Sequence, residues 1–246
     1  MKRFYLSVLF LCSFGSLFAG GPSFAFCDYS QGKVFIQENG EIVWEHKAPD
    51  SNDIWVLPNK NILFTAGKEV LEVSRKNDTI FHYTSESNIF ACQRLKNGNT
   101  FIGECDNGRL LEVSPDGSIV KDVSILPFGV KTGGHAFMRN ARCLDNGHYL
   151  VAHYGGKSVV EYDENGKAVW NIPISGGAHS VIRLPSGNTL VAVTDKDNNP
   201  GVFEYDMAGN IVWSLTNKDL PGTLKFAGGM HYLSDGRLFL TNWVGH

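Results

Sequence analysis

Cysteine is scarce. The chain has 246 residues and only 5 cysteines. No two are adjacent and none form a CxxC pair. An exported chain can form disulfides, but this count excludes a disulfide scaffold. Cys27, Cys92, Cys105 and Cys143 read as small buried hydrophobes. An excess of one charge is also lacking. There are 22 basic and 25 acidic residues, for a net charge of −3. No phosphate-binding footprint is present, so nucleic acid is not an expected partner. Helical periodicity is missing throughout. Beyond the N-terminus no apolar run approaches membrane-helix length, so no membrane span is expected. No Gly-rich phosphate loop or nucleophile elbow appears. What is present is an ordinary 43% apolar fraction, which excludes general disorder, and 27 glycines, which fit many tight turns.

Lys2 and Arg3 precede an uncharged apolar run from Phe4 to Phe18, followed by the small residues Ala19, Gly20 and Gly21. This pattern predicts an export signal cut after Ala19. Residues 1–19 are then the signal and 20–246 a single mature domain, periplasmic or extracellular. A buried N-terminal strand is the competing reading. A lipoprotein cut before Cys12 is disfavoured by the large Leu11 beside it.

Internal repetition organises the rest. An apolar residue, a Leu, two polar residues and usually Gly recur around Leu57, Leu95, Leu144, Leu184 and Leu233, at intervals of 38, 49, 40 and 49 residues. Asn-Gly and Asp-Gly cores between apolar runs signal hairpins. A second pattern follows each first one. Val159 to Trp170 and Val202 to Trp213 match in spacing, and weaker copies run from Leu111 to Val120, Leu71 to Phe81 and Val34 to Trp44. Each unit thus holds two hairpins, or four short strands, at the period of a propeller blade. The expected fold is an all-β, six-bladed β-propeller of four-stranded blades. A two-sheet sandwich is the bland competitor.

Strand counting refines this. Phe24–Cys27, Lys33–Ile36 and Glu41–Trp44 supply three strands of the first unit. Full units start near Asp53, Ile89, Phe137 and Ala178. A last unit starts near Gly229 and offers two strands. The last blade is therefore expected to be truncated. The count predicts a fragment or an irregular closure, about one blade short, with the inner edge of the first blade and the outer edge of the last unpaired.

The hairpins Gly40-Glu41-Ile42-Val43-Trp44, Gly166-Lys167-Ala168-Val169-Trp170 and Gly209-Asn210-Ile211-Val212-Trp213 resemble the quinoprotein-like (PQQ-like) propeller repeat. The Leu-x-x-Gly-Asn hairpins followed by Glu-Tyr-Asp resemble the bacterial arylsulfotransferase propellers. The resemblance runs from about Ser23 to His246. It implies that Trp44, Trp170 and Trp213 dock against the neighbouring blade, where a buried indole N–H needs an acceptor. It also sets a test that this chain does not meet, because quinoprotein dehydrogenases carry a vicinal cysteine pair. No cofactor is therefore expected, and non-enzymatic binding scaffolds of the same family become the leading reading.

Three segments share a Gly-Gly-His flavour: Gly133-Gly134-His135, Gly176-Gly177-Ala178-His179 and Gly228-Gly229-Met230-His231. Their histidines lie nine, five and two residues before the repeat leucine, so they do not form one symmetric ring. Arg139 and His179 both lie five residues before theirs. If that position faces a channel, an Arg and a His share one anion-sized space. An arylsulfotransferase-like mechanism would use His179 to accept the sulfuryl group and Arg139 to stabilise its oxygens. Arg142 is expected to point elsewhere. His135, His231, His153, Tyr154, Asn242 and Trp243 are candidate ligand-binding residues. No metal site is expected. Asp195 to Asn199 has a calcium-loop composition but lacks the Gly and distal Glu, so it reads as a solvated hairpin loop. The function expected is an exported, non-enzymatic propeller binding a protein, glycan or small ligand. The alternative is a sulfuryl-transferring enzyme built on His179 and Arg139.

Overall fold

The computed structural model describes residues 23–194 and 199–244. The proposed signal and most of the calcium-like loop lie outside them. The chain divides into two compact halves, one up to Met138 and one from Arg139 onward.

The N-terminal half holds three antiparallel sheets. The first is β1 (Phe24–Asp28), β2 (Lys33–Glu38) and β3 (Glu41–Lys47). The second is β4 (Ile54–Val56), β5 (Ile62–Ala66), β6 (Glu69–Val73) and β7 (Thr79–Thr84). The third is β8 (Ile89–Arg94), β9 (Thr100–Glu104), β10 (Arg109–Val113) and β11 (Ile119–Ser124). The C-terminal half continues with β12 (Asn140–Cys143), β13 (Tyr149–His153), β14 (Ser158–Tyr162) and β15 (Ala168–Pro173). Next come β16 (Gly177–Arg183), β17 (Thr189–Thr194), β18 (Gly201–Tyr205) and β19 (Ile211–Thr216), and finally the pair β20 (Ala227–Tyr232) and β21 (Leu238–Asn242). Each sheet is a simple meander. The chain is an all-β propeller whose strand numbers per sheet, three, four, four, four, four and two, follow the hairpin count made along the sequence. One boundary moves: the fourth unit opens at Asn140, not Phe137. The Gly133–Phe137 stretch instead folds onto the third sheet, where Gly133 N–H donates to the Asp106 carbonyl at 2.8 Å.

Burial falls from the second strand of each sheet to the fourth. β5, β9, β13 and β17 are buried along their whole length, and they read as continuous apolar runs because both faces are covered. The outer strands β7, β11, β15 and β19 have half or more of their residues exposed and one buried residue each. Within each half, neighbouring sheets share cores. Val34, Ile36 and Trp44 pack with Ile62 and Phe64, and Ala152, Val159 and Ile172 pack with Val181, Val191 and Phe203.

The repeat leucines close the first hairpins. Leu184 N–H donates to the Asn188 carbonyl, and Gly187 N–H to the Leu184 carbonyl. That loop needs a left-handed residue. Gly98, Gly147, Gly187 and Gly236 supply it at φ 83 to 91°, and Lys60 takes the place in the second sheet at some backbone cost.

The tryptophans dock as expected. Trp170 reaches the next sheet and donates Nε1–H to the Met207 carbonyl at 2.9 Å, with the Arg183 guanidinium 4.6 Å over its ring. Trp213 packs with Leu238 and Tyr232. Trp44 is buried against the second sheet, but its Nε1 has no partner. All four described cysteines are unbridged. Among the described residues no helix is long and apolar enough to cross a membrane.

Candidate functional site

Within the C-terminal half, the first strands of successive sheets converge on one group of side chains. Arg139 leads into β12, and its N–H donates to the Ala152 carbonyl. The next residue, Asn140, is buried, and its Oδ1 accepts from Val181 N–H of β16 at 3.4 Å. That bond ties the two first strands together and carries Arg139 toward β16. The same latch recurs in the other half, where Asp53 Oδ2 accepts from Cys92 N–H at 3.0 Å.

On β16 the ladder slips. Ala178 pairs with Val193 and Ser180 with Ala192, so His179 has no partner residue. This bulge re-aims the imidazole. Arg139 Nη2 then lies 3.5 Å from His179 Nε2. A guanidinium only donates, so Nε2 is the acceptor and the ring proton sits on Nδ1. Nδ1 is buried without a hydrogen-bond partner, and the Gly228 backbone acts on the ring only weakly, in the direction that raises its pKa. Burial, first, and the Arg139 charge, second, push the His179 pKa down to about 3. The imidazole is neutral at physiological pH.

Aromatic rings surround this pair. Tyr154 meets His179 edge-on at 6.3 Å, Phe226 meets it at 5.2 Å, and Trp243 meets Phe226 at 5.1 Å. Trp243 is 49% exposed and presents the open end of the row. Tyr154 can lie there because Gly177 has no side chain. A Cβ at that position would stand 2.5 Å from the Tyr154 ring and 2.7 Å from Thr194 Oγ1.

Arg139, His179, Tyr154 and Trp243 are thus brought together as the sequence suggested, Trp243 through Phe226. The other candidates are placed differently. Asn242 is a positioning residue: its Oδ1 accepts from Lys225 and Phe226 N–H, and its Nδ2 donates to the Thr223 carbonyl. His153 is buried and spends Nε2 on the Tyr162 hydroxyl at 2.8 Å; desolvation holds that phenol up at about 12. His231 is exposed on β20. His135 belongs to the N-terminal half, exposed and edge-on to Phe90 at 5.3 Å. Arg142 turns away and donates to the Ala141 carbonyl.

Phe226 and the latch residues Asp53 and Asn140 were missed. A signal existed for the latches: each is a polar residue four positions before a repeat leucine, where a first strand begins. Phe226 had no repeat counterpart to mark it. Among the described residues no group of three or more His, Cys, Asp or Glu side chains is arranged to hold a metal ion.

No family model matches the chain, and no curated protein matches it by sequence. Solved structures do. A protein of unknown function from Bacteroides caccae superposes with a TM-score of 0.80 at 24% identity, over 91% of this chain and 84% of that one. Virginiamycin B lyase from Staphylococcus aureus gives 0.65 at 14%, over 93% and 76%. A streptogramin B lyase gives 0.63 at 16%, over 89% and 72%. These likenesses support a β-propeller fold. They do not establish the PQQ-like or arylsulfotransferase-like family that the hairpin motifs resemble.

Proposed function

We propose that the chain is an exported, six-bladed, non-enzymatic propeller that binds a small molecule through Arg139, His179, Tyr154, Phe226 and Trp243. This reading takes the small-molecule branch of the wider expectation of a protein, glycan or small ligand. One observation carries it: in the free protein Nε2 of His179 is occupied by the Arg139 guanidinium and Nδ1 is buried. An imidazole held this way orients a guanidinium for recognition. A nucleophile or general base would present a free lone pair to the reactant. The half-exposed Trp243 adds an aromatic platform, a common feature of ligand sites. A ligand screen followed by Trp243 fluorescence tests the reading. Arg139→Gln and Trp243→Ala should each weaken a hit by tenfold or more, and a hit indifferent to both would overturn it.

The sulfuryl-transfer reading keeps one specific support, the 3.5 Å approach of Arg139 to His179. One neighbour is a catalytically inactive histidine-to-alanine variant of virginiamycin B lyase with quinupristin, an instance of a related fold whose activity is lost with a histidine. Transfer from 4-nitrophenyl sulfate that appears in the wild type and vanishes in His179→Ala would replace the binding reading. Absence of transfer in the wild type would retire this alternative.

A further inference from the structure

We propose that this site takes up an organic carboxylate together with one proton, the Arg139 guanidinium meeting the carboxylate and His179 Nε2 receiving the proton. The proposal rests on reading Arg139 and His179 as a ligand site. In the free site an Arg139 N–H points at the Nε2 lone pair at 3.5 Å, a long and undemanding bond. A carboxylate offers two oxygens that match the guanidinium fork and forms shorter, stronger bonds. It therefore displaces Nε2 from Arg139. The Nε2 lone pair then faces carboxylate oxygens, acceptor against acceptor. A proton from solvent on Nε2 converts that opposition into a second donor to the same anion. The balance closes: one carboxylate and one proton enter, no covalent bond to carbon changes, and the site keeps a single positive charge. That matters in a partly desolvated position, where added net charge is costly.

The groups facing His179 leave Arg139 as its charged neighbour among the described residues. β17 carries no titratable side chain. On β14, Glu161 is bonded to Arg183 and His148, and Tyr162 to His153. His231 of β20 is exposed. Tyr154 contributes its ring edge. The rows of rings through Phe226 and Trp243 favour a flat organic group behind the carboxylate.

Calorimetric titration of the mature protein with benzoate, in buffers of low and high ionisation enthalpy between pH 5.5 and 7.5, reads the proton count directly. Uptake approaching one proton per benzoate at the acid end is expected. Affinity should fall as pH rises, by up to about tenfold per unit. Acetate should bind more weakly, and neutral benzamide far more weakly. The His179→Gln variant should lose the uptake, while His82→Gln, at an exposed histidine elsewhere, should keep it. Benzoate binding with no proton uptake and a flat pH profile would overturn the coupling and leave the ligand site standing. Benzamide binding as tightly as benzoate, or uptake persisting in His179→Gln, would overturn it as well. If neither benzoate nor acetate binds, the carboxylate proposal fails; if no compound in the wider screen perturbs Trp243, the ligand-site reading fails with it.

Discussion

His179 shows how one side chain couples charge to stability. Its folded pKa of about 3 lies below the ordinary value near 6.5. Between those values the unfolded chain binds more protons than the folded one. Stability therefore rises with pH across that window and falls as pH drops through it, with a slope of at most about 1.4 kcal/mol per unit. Urea melts at pH 7 and pH 5 should show this loss in the wild type and a shallower loss in His179→Gln. Glu104 is a buried carboxylate held by hydrogen bonds: it accepts from Ser85, Tyr83, Asn107 and Arg109. Arg109→Met leaves that charge without its cationic partner and should cost about 2 kcal/mol or more, read as a lowered urea midpoint. At this scale the sequence was half legible. Counting back from the repeat leucines paired Arg139 with His179, because equal offsets in equal repeats give equal places. It could not reveal the bulge at His179 or the role of Asn242, since both depend on how strands slip and how loops turn back.

Along each strand and turn, the repeated devices are simple. Asp53 and Asn140 each accept an N–H from the first strand of the next sheet. Asp53→Ala removes the acceptor from Cys92 N–H inside a buried seam and should destabilise by about 1–3 kcal/mol. Asp53→Asn should cost much less, because Asn140 shows that an amide oxygen serves. At the turns, Gly187 sits at φ +91° with open space around it. Gly187→Ala should cost about 1–2 kcal/mol from the backbone alone, with no change in ligand binding, a pairing that denaturant melts and titration can check together. Strand positions were the most legible part of the fold. Continuous apolar runs, Asn-Gly cores and Trp-ended hairpins each have a local physical cause. The misplaced start at Phe137 has a cause too: Gly-Gly-His looks like an entry to a strand, but Gly133 is claimed by the Asp106 carbonyl of the preceding sheet.

At the scale of the whole molecule, the described residues of each half are held by apolar seams between neighbouring sheets, and the four described cysteines are unbridged. Cys92 and Cys105 are buried, and burial lifts the Cys27 thiol to about 12. A protein made of residues 20–246, which carries four cysteines, should react slowly with a thiol reagent at pH 8, release four thiols per chain after denaturation, and migrate identically with and without reductant. Fast native labelling of Cys27 would contradict this picture. Composition had pointed the same way, because few cysteines in a chain rich in apolar strands leave burial as the means of cohesion. What the proposed site would bind was not legible at any scale, since it draws single residues from several repeats and repetition itself carries no chemistry.

The slipped residue in the first strands has a consequence for how such a protein changes. Phe90, His179 and the Gly228–Gly229 step all fall where the ladder skips a partner. A residue outside the ladder owes nothing to strand pairing, so at His179 a change of side chain leaves the ladder bonds of Ala178 and Ser180 in place, whereas Gly228 has no room for a Cβ beside Thr241. The sheet then acts as a fixed chassis, and the proposed site at His179 can be varied at that skipped position without redrawing the ladder that holds it.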